Sequence, residues 1–412
     1  MKLGYKRLGD YIQLVDERNR NVEVTNLLGI SVTKNFIPSV ANIVGTDMAN
    51  YKIVRKNQFA CSIMQVRRDK KMPVALYLED KPSIISQAYP IFQVIDESVL
   101  LPEYLMMWFT RSEFDREACF LAVGGVRGSL EWEDFLNMEL PIPSPEKQKE
   151  LIEEYEAIEK RIQLNKKLCA TLEETAQTIY KHWFEDFEFP DENGKPYKSS
   201  GGEMVECEEL GKEIPKGWKI DELKSLHLDI SDGNYSGNYP KSYEFKKEGI
   251  PFIRGTDFNE SIISKRQLLR ITPEKHQMLK KGHLKKNDLL FSNRANIGSI
   301  AYVTSEFIDC NINSQLLRIN GKKLYSQFFL GLYFTTRTFK NLLLGASTGS
   351  AQLQLPIGNF NKIRHIIPNQ IVIQKFDNEF DSVHFQILNK KIMNQKLEDL
   401  KSLLLGKMAV EV

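Results

Sequence analysis

Cysteine is scarce in this sequence, and its pattern argues against two kinds of stabilised small domain. Five cysteines occur in 412 residues, and no CxxC pair exists. An odd number at wide spacing fits neither a disulfide framework nor a zinc ribbon. The pattern therefore predicts a reduced, cytoplasmic protein.

Long apolar runs and an excess of one charge are also missing. Apolar stretches such as 328–334 are far shorter than the ~20 residues that a membrane span needs, and the first ten residues lack the apolar core of a secretory signal. Lys and Arg total 56 against 54 Asp and Glu, a net charge of +2. This balance excludes a histone-like protein but allows a local basic patch.

Motifs that carry catalysis are absent. None of the Gly-Lys pairs, which begin at 194, 211, 321 and 406, is followed by Ser or Thr, so there is no Walker A phosphate loop. GxGxxG, HExxH, GxSxG and the Asn-Pro-Pro-aromatic motif of amino-methyltransferases do not occur either. The six histidines show no ligand spacing. We therefore expect no catalytic residues, no metal site and no cofactor bound by this chain.

An internal repeat is the main positive feature. Apolar residues make up 42% and charged residues 27%, which is typical of globular proteins, and the length suggests two or three domains. Residues 104–114 match 329–339 at an offset of 225, and 164–167 match 388–391 at 224. So constant an offset across different residue types predicts a tandem repeat.

Both halves have the same order of predicted elements. Short β-like runs come first, then a helix around Pro102–Phe120 or Tyr325–Leu344. A Gly-rich loop and a strand ending at proline follow, before a long helical stretch. The order predicts an α+β fold of two similar mixed α/β domains.

The long helical stretches carry an apolar seam that steps by alternating four and three residues. This spacing is typical of a coiled coil, and a lone helix cannot bury such a stripe. The seam predicts an intramolecular coiled coil; alternatively, each stripe packs on its own globular segment. The seam residues are Leu151, Tyr155, Ile158, Ile162, Asn165, Cys169, Leu172, Ala176, Ile179 and Trp183, then Phe376, Phe380, Val383 and Ile387, with Met393, Leu397, Leu400 and Leu404 after a polar interruption at 389–391.

Basic charge is concentrated in the globular parts. Residues 241–300 contain thirteen Lys or Arg against six acidic residues, and residues 52–81 contain eight against three, whereas 146–192 are acidic. Basic patches attract phosphates, and forked donors and amides read base edges. Candidate DNA contacts are Gln65, Arg67, Arg68, Lys70, Lys71 and Arg127 in the first half, and Asn234, Tyr235, Arg254, Asn293, Arg294, Asn296 and Gln352 in the second.

Several motifs give the chain a resemblance to a known family. Residues 176–187, 200–204, 213–218 and 286–292, with the Leu-Pro-Ile-Pro boundary at 140–143, resemble the conserved parts of specificity subunits of Type I restriction-modification enzymes, which act in DNA methylation and phage defence. One departure is Ile366-Ile-Pro368 at the second boundary.

The resemblance implies two target-recognition domains and two conserved helices packed as an antiparallel coiled coil. The expected bounds are 1–143 and 218–368 for the recognition domains, 144–186 and 369–412 for the helical spacers, and 187–217 for a linker. Each domain would read half of a bipartite double-stranded DNA site, and the helices would dock two methyltransferase subunits, with restriction subunits joining. S-adenosylmethionine, ATP and Mg would be bound by those partners.

Two other functions remain open on the sequence alone. One is a coiled-coil scaffold that binds only protein. The other is a self-contained methyltransferase or nuclease, which the missing motifs disfavour.

Overall fold

The structure, a computed structural model, describes residues 4–39, 46–64, 66–122, 128–233, 237–349 and 353–409. It divides the chain into two compact units. Unit 1 comprises residues 1–163 and 396–412, and unit 2 comprises residues 164–395. The candidates Gln65, Arg127, Asn234, Tyr235 and Gln352 lie outside the described residues.

Small, mostly antiparallel sheets form the framework of unit 1. The strands are β1 (Tyr5–Arg7), β2 (Ile12–Val15), β3 (Leu27–Ile30), β4 (Phe36–Pro38), β5 (Lys52–Val54), β6 (Gln58–Cys61), β7 (Val74–Leu76), β8 (Ser83–Ile85), β9 (Ile91–Val94) and β10 (Glu139–Pro141). One sheet has the order β2-β9-β6-β7 and another β4-β3-β8-β5, while β1 pairs with β10. In the second sheet β3 and β8 are parallel.

Five helices are assigned to the first half of the chain in its described residues. They are α1 (Val66–Asp69), α2 (Pro102–Thr110), α3 (Ser112–Leu121), α4 (Trp132–Leu136) and α5 (Pro145–Phe184). The single helix predicted over 102–120 is wrong in detail, because the extended backbone of Arg111 separates α2 from α3.

Aromatic packing explains why these helices cover the β2-β9-β6-β7 sheet. Phe59 and Phe92 stack on adjacent strands with ring centroids 5.0 Å apart, and Phe109 and Phe135 from α2 and α4 meet the Phe92 ring at 6.2 and 5.6 Å. All four side chains are fully buried. Truncating one of them to alanine would cost about 3–5 kcal/mol.

Unit 2 repeats this plan with additional strands. They are β11 (Met204–Cys207), β12 (Lys212–Pro215), β13 (Lys219–Glu222), β14 (Asp229–Asp232), β15 (Ile250–Ile253), β16 (Phe258–Asn259), β17 (Ile262–Ile263), β18 (Leu269–Ile271), β19 (Asp288–Ser292), β20 (Ile300–Tyr302), β21 (Asn311–Ile312), β22 (Leu316–Asn320) and β23 (Arg364–Ile367). The order β14-β22-β19-β20 reproduces β2-β9-β6-β7, with β17 and β16 added beyond β20. The β13–β23 pair matches β1–β10, and parallel β15 and β21 match β3 and β8. The predicted tandem repeat is confirmed.

The helices of unit 2 follow the same order. They are α6 (Pro273–Met278), α7 (Gln327–Thr335), α8 (Arg337–Ala346), α9 (Ile357–Asn361) and α10 (Gln370–Lys407). The helix predicted over 325–344 is again two helices, because Thr336 is extended and its Oγ1 accepts a hydrogen bond from the Phe339 amide as the cap of α8. The segment expected to be a linker carries the hairpin β11–β12, and its Phe187 and Phe189 are buried against Trp218.

The long helices α5 and α10 pack antiparallel in both units. In unit 1, Lys401 on α10 donates to Glu159 on α5 at 2.9 Å. In unit 2, Asn165 meets Asn394, and further along α5 the Tyr180 ring meets Phe376, 5.9 Å between centroids. Rising residue numbers on α5 pair with falling numbers on α10, as expected for the antiparallel coiled coil.

The seam of α5 follows the predicted spacing. Leu151, Ile162, Cys169, Ala176 and Trp183 are buried, and Tyr155, Ile158, Leu172 and Ile179 are partly buried in the cores of their units. On α10, Phe376, Phe380, Ile387 and Leu404 are buried, and Val383 and Leu397 are partly exposed.

The second half of the α10 seam differs from the prediction. Met393 and Leu400 are 41% and 49% exposed, so their assignment to the seam is wrong. Lys391 and Asn394 are buried in their place, four and seven residues after Ile387. The heptad continues through the polar stretch instead of stopping there, because both side chains find partners: Asn394 Oδ1 accepts from Asn165 Nδ2 at 2.8 Å, and Lys391 Nζ donates to Glu173 at 2.6 Å.

Candidate nucleic-acid interface

In unit 1 the candidate cations lie on the loop between β6 and β7. Arg67, Arg68, Lys70 and Lys71 are all exposed on or just after the short helix α1. The fully buried Val66 anchors this helix. Asp69 forms an ion pair with Arg68 at 2.7 Å, and this hydrogen bond raises the pKa of the Arg68 guanidinium above its ordinary value. The structure therefore brings four candidate cations onto one exposed loop.

The segment 128–130 is hydrogen-bonded to the loop between β6 and β7. The Arg67 amide donates to the Gly128 carbonyl at 3.2 Å, and the Leu130 amide donates to the Ile63 carbonyl at 2.9 Å. A Cβ on Gly128, whose φ is +73°, would lie 2.8 Å from the Arg67 Cβ. Only glycine suits this close approach and this left-handed backbone.

Unit 2 joins its two candidate loops by the same hydrogen bond. The Leu355 amide donates to the Asn293 carbonyl at 2.8 Å. Asn293 follows β19 as Ile63 follows β6, and Leu355 stands 225 residues after Leu130, which is the offset of the repeat. The two units thus present the same pair of loops on the same scaffold.

The loop after β19 carries amides and one arginine. Asn293 is only 5% exposed, and its Oδ1 has no hydrogen-bond partner among the described residues. The backbone of Arg294 is held by a bridge to Gln354 and by the Ser292 hydroxyl, which donates to the Arg294 carbonyl at 2.8 Å. Asn296 is exposed. This loop is more buried and more rigidly supported than its counterpart in unit 1.

Asn313 connects the remaining candidates of unit 2. Its amide donates to the Ile253 carbonyl, next to Arg254, at 2.9 Å, and its side chain accepts from the Gln315 amide at 3.2 Å. Gln315 in turn accepts from the Asn293 amide. Gly233, just before the candidates at 234 and 235, lies so close that a Cβ would be 2.2 Å from the Asn313 carbonyl oxygen.

Asn313 and Gln315 were missed by the sequence analysis. The available signal was a run of amides, Asn311 to Gln315, immediately before the apolar strand β22. Arg254 is more constrained than expected, because its guanidinium forks onto Asp257 at 2.8 and 3.2 Å. Such a pair orients the arginine but also competes with any outside acceptor.

Part of the basic charge in 241–300 is neutralised locally. Lys281 pairs with Asp232 at 3.3 Å and Lys285 with Asp229 at 2.9 Å. Arg318 also contacts Asp229, and hydrogen bonds from Arg318 and Lys285 hold the pKa of the Asp229 carboxyl below its ordinary value. The Lys281 and Lys285 side chains remain more than half exposed in these pairs, and surface ion pairs contribute little to stability.

Side chains with metal-ligand chemistry come together in one further place. Within the described ranges, His276, His283 and Asp309 form one group whose candidate ligand atoms all lie within 4.8 Å of one another. They are near in space because β21 returns beside the segment after α6, which sequence spacing does not reveal.

In the described part of the chain, no helix is long and apolar enough to cross a membrane.

Comparison with known proteins supplies relatives for this architecture. The family profile described as Type I restriction modification DNA specificity domain matches residues 215–401. The MjaIX specificity subunit of a Type I restriction enzyme from Methanocaldococcus jannaschii is 26% identical over 330 residues, covering 76% of this chain and 70% of the relative. The HindI specificity subunit from Haemophilus influenzae is 23% identical over 371 residues, covering 77% and 79%.

One solved structure shares the fold. The crystal structure of the S subunit of a Type I restriction-modification system from M. genitalium aligns with a TM-score of 0.55 and 14% identity, covering 98% of this chain and 95% of that one. The resemblance inferred from the motifs is confirmed by these relatives.

Proposed function

We propose that this chain reads a bipartite double-stranded DNA site, with one half for each unit. The match of residues 215–401 to the Type I restriction modification DNA specificity domain and the similarity to Type I specificity subunits support this proposal. The observation that carries the proposal is the pair of loops present in both units. The hydrogen bonds Leu130–Ile63 and Leu355–Asn293 join these loops at equivalent places of the repeat. Repeated scaffolds with different loop residues suit the reading of two different half-sites.

The two loop pairs favour different contacts. The exposed cations of unit 1 (Arg67, Arg68, Lys70, Lys71) suit phosphates, which require charge but little precision. The braced loop of unit 2 holds the backbone of Arg294 in a defined position and exposes Asn296, and these are the residue types that read guanine and adenine in the major groove. Neither unit is proposed to carry catalytic residues.

The long helices are proposed to fix the spacing between half-sites and to dock two methyltransferase subunits. Apolar side chains outside the seam support docking: Leu164 on α5 is 58% exposed, and Phe385 and Leu403 on α10 are 67% and 66% exposed. Exposed apolar groups on an otherwise charged helix often mark a protein-binding surface. Restriction subunits would join this complex in the cytoplasm, and S-adenosylmethionine, ATP and Mg²⁺ would bind to the partner subunits.

DNA binding at two salt concentrations tests the proposal. We expect weak binding by the purified chain and tight, site-specific binding once methyltransferase subunits are added. Affinity should fall steeply between low and moderate salt, by roughly a thousandfold or more if six or more phosphates are contacted. Salt-independent binding would contradict the phosphate contacts, and tight site-specific binding by the chain alone would contradict the partners' role.

The docking surface has its own test. Phe385→Ser should weaken the association with methyltransferase subunits in size-exclusion chromatography. Phe120→Ser is the matched control, because Phe120 is 76% exposed and lies on α3 rather than on α5 or α10. Equal behaviour of the two variants would contradict docking on α10.

Matched insertions in both helices test whether α5 and α10 fix the spacing between the half-sites. Four residues added after Lys166 and four after Met393 leave the Asn165–Asn394 pair aligned on one side of the insertion and the Cys169–Ile387 contact on the other. The addition lengthens each helix by about 6 Å and turns it by about 40° beyond a full turn, and a four-residue stutter is tolerated in a heptad seam. We expect unchanged half-sites and a spacer longer by about one or two base pairs at ~3.4 Å each. An active variant with an unchanged spacer would show that the helices do not fix the spacing between the half-sites.

A further inference from the structure

The group His276, His283 and Asp309 in unit 2 is held together by backbone hydrogen bonds. His276 lies on α6, which the Thr272 hydroxyl caps by accepting from the Lys275 amide at 3.2 Å. His283 and Asp309 are fixed by their neighbours: the Asp309 amide donates to the Leu284 carbonyl at 2.7 Å, and the Leu284 amide donates to the Cys310 carbonyl at 2.9 Å. The positions of all three side chains are thus set by the fold.

Each imidazole is oriented by a carbonyl oxygen that lies near its outer nitrogen, the ring nitrogen that does not face Asp309. The His283 Nε2 lies 2.6 Å from the Leu279 carbonyl oxygen, which can only accept, so Nε2 carries a proton. The His276 Nδ1 lies 2.5 Å from the Asn311 Oδ1. In the neutral rings the inner nitrogens, Nδ1 of His283 and Nε2 of His276, therefore carry lone pairs. This outer hydrogen bonding is typical of histidines that bind metals.

Both inner nitrogens face the Asp309 carboxylate. The distances are 3.2 Å from His283 Nδ1 to Oδ1 and 3.4 Å from His276 Nε2 to Oδ2. Hydrogen bonds between imidazolium and carboxylate are shorter, about 2.7–2.9 Å. Ligands of a tetrahedral zinc ion at ~2.0–2.1 Å lie about 3.3–3.4 Å apart, which is close to these two distances, one to each carboxylate oxygen. All candidate ligand atoms of the group lie within 4.8 Å of one another.

Charge favours the same interpretation. Without a cation, two lone pairs and a carboxylate would face one another, or both rings would have to be charged with centroids 4.4 Å apart.

We propose that His276, His283 and Asp309 bind a divalent transition-metal ion, with Zn²⁺ the best match and water at the fourth position. Two imidazoles and a carboxylate are ligands that zinc prefers. The ion joins the segment after α6 to the loop before β21, and so fastens the lysine-rich stretch 280–286 beside Asn311 and Asn313. Its role is structural, because the site holds the recognition loops of unit 2 in place.

Metal titration of the tag-free full-length chain tests this site. After chelation and dialysis, wild type should take up one Zn²⁺ per chain by mass spectrometry of bound metal, and Co²⁺ should give the visible absorption of a tetrahedral complex. Zn²⁺ should also raise the unfolding temperature. His283→Ala and the isosteric Asp309→Asn should lose the uptake, the cobalt spectrum and the thermal shift.

The exposed His227 of the same unit provides the control. His227→Ala should bind Zn²⁺ like wild type. If wild type takes up no Zn²⁺, or if folded Asp309→Asn and His283→Ala bind it as well as wild type does, the assignment is wrong. Circular dichroism of each variant establishes that it is folded, and the wild-type titration decides the question even where a variant fails to fold.

Discussion

The two units build their loops on the same strands yet fill them with different chemistry. In unit 1 the loop after β6 exposes Arg67, Arg68 and Lys70, whereas in unit 2 the loop after β19 buries Asn293 and supports Arg294 from two sides. The scaffold is conserved within the molecule because its buried aromatic residues leave little freedom for change. The loops are free to differ because their side chains contribute little to the core.

A second contrast lies in histidine. All six histidines fall within residues 164–395, so unit 1 contains none. His384 is buried and His365 is partly buried, and burial lowers the pKa of both. Mild acid is therefore expected to act on unit 2 and to spare unit 1.

The largest effect should come from breaking α5, because this helix contributes to both units and its loss should affect both half-sites alike. Ile162 is fully buried in the middle of this helix, and Ile162→Pro removes a helical hydrogen bond and adds a steric clash, at a cost of about 3 kcal/mol or more. We expect lower stability in urea and loss of methylation at the whole bipartite site. The neighbouring exposed Gln163→Ala should leave both unchanged. Retained methylation in Ile162→Pro would show that a continuous helix is not required.

Arginine truncations should separate the two units. Arg294→Ala is expected to weaken binding by roughly 5- to 150-fold on the cognate half-site and little on other sequences, as for a base contact of about 1–3 kcal/mol. Arg68→Ala should weaken binding to all sequences alike and lower the salt slope by about one, as for a phosphate contact. Quantitative gel shifts on cognate and scrambled half-sites measure both. The reverse result would exchange the roles assigned to the two loops.

Acid should destabilise unit 2 selectively. His384 is 8% exposed, its ring lies 4.7 and 4.6 Å from those of Tyr302 and Phe328, and burial lowers its pKa to about 3. Below about pH 6.5 the His384 side chain is protonated in the unfolded chain but stays neutral in the folded chain. The free energy of unfolding therefore falls as pH falls. His384 alone contributes a loss of about 2 kcal/mol at pH 5. Asp377 in the same unit offsets part of it, because burial raises the pKa of its carboxyl to about 6 and its protonation favours the folded chain.

Hydrogen exchange at pH 7 and pH 5 measures this loss unit by unit. Protection should fall in unit 2 and not in unit 1 after correction for intrinsic rates, and His384→Leu should reduce the fall. The exposed His227→Gln is the control. An equal loss of protection in both units would contradict the assignment to histidine.

The smallest effect concerns the polar layer in the seam. Asn165 and Asn394 are 1% and 5% exposed, and their amides are joined at 2.8 Å. Asn165→Leu should cost about 1–3 kcal/mol by removing the Asn165 amide from the buried Asn394 side chain, while the double change to leucine should recover most of this. Urea denaturation of the four proteins in the cycle gives the coupling. Additive losses would mean that the two amides do not depend on each other.

The sequence predicted the repeated architecture well and the loops poorly. Leu151 to Trp183 could be assigned to a seam because heptad spacing reflects burial directly. Met393 and Leu400 were misplaced, because a lysine and an asparagine with partners across the seam can occupy core positions that hydrophobicity alone assigns to apolar residues. Asn313 and the group around His276 depend on strands that meet only in the folded chain.

The central claim is that each unit reads its own half of the DNA site. Methylome sequencing of cells in which residues 1–143 are replaced by the equivalent segment of a relative tests it most directly. We predict that one half of the methylated site changes, while the other half and the spacer length stay the same. If both halves changed together, the two units would not read DNA independently and the account would be wrong.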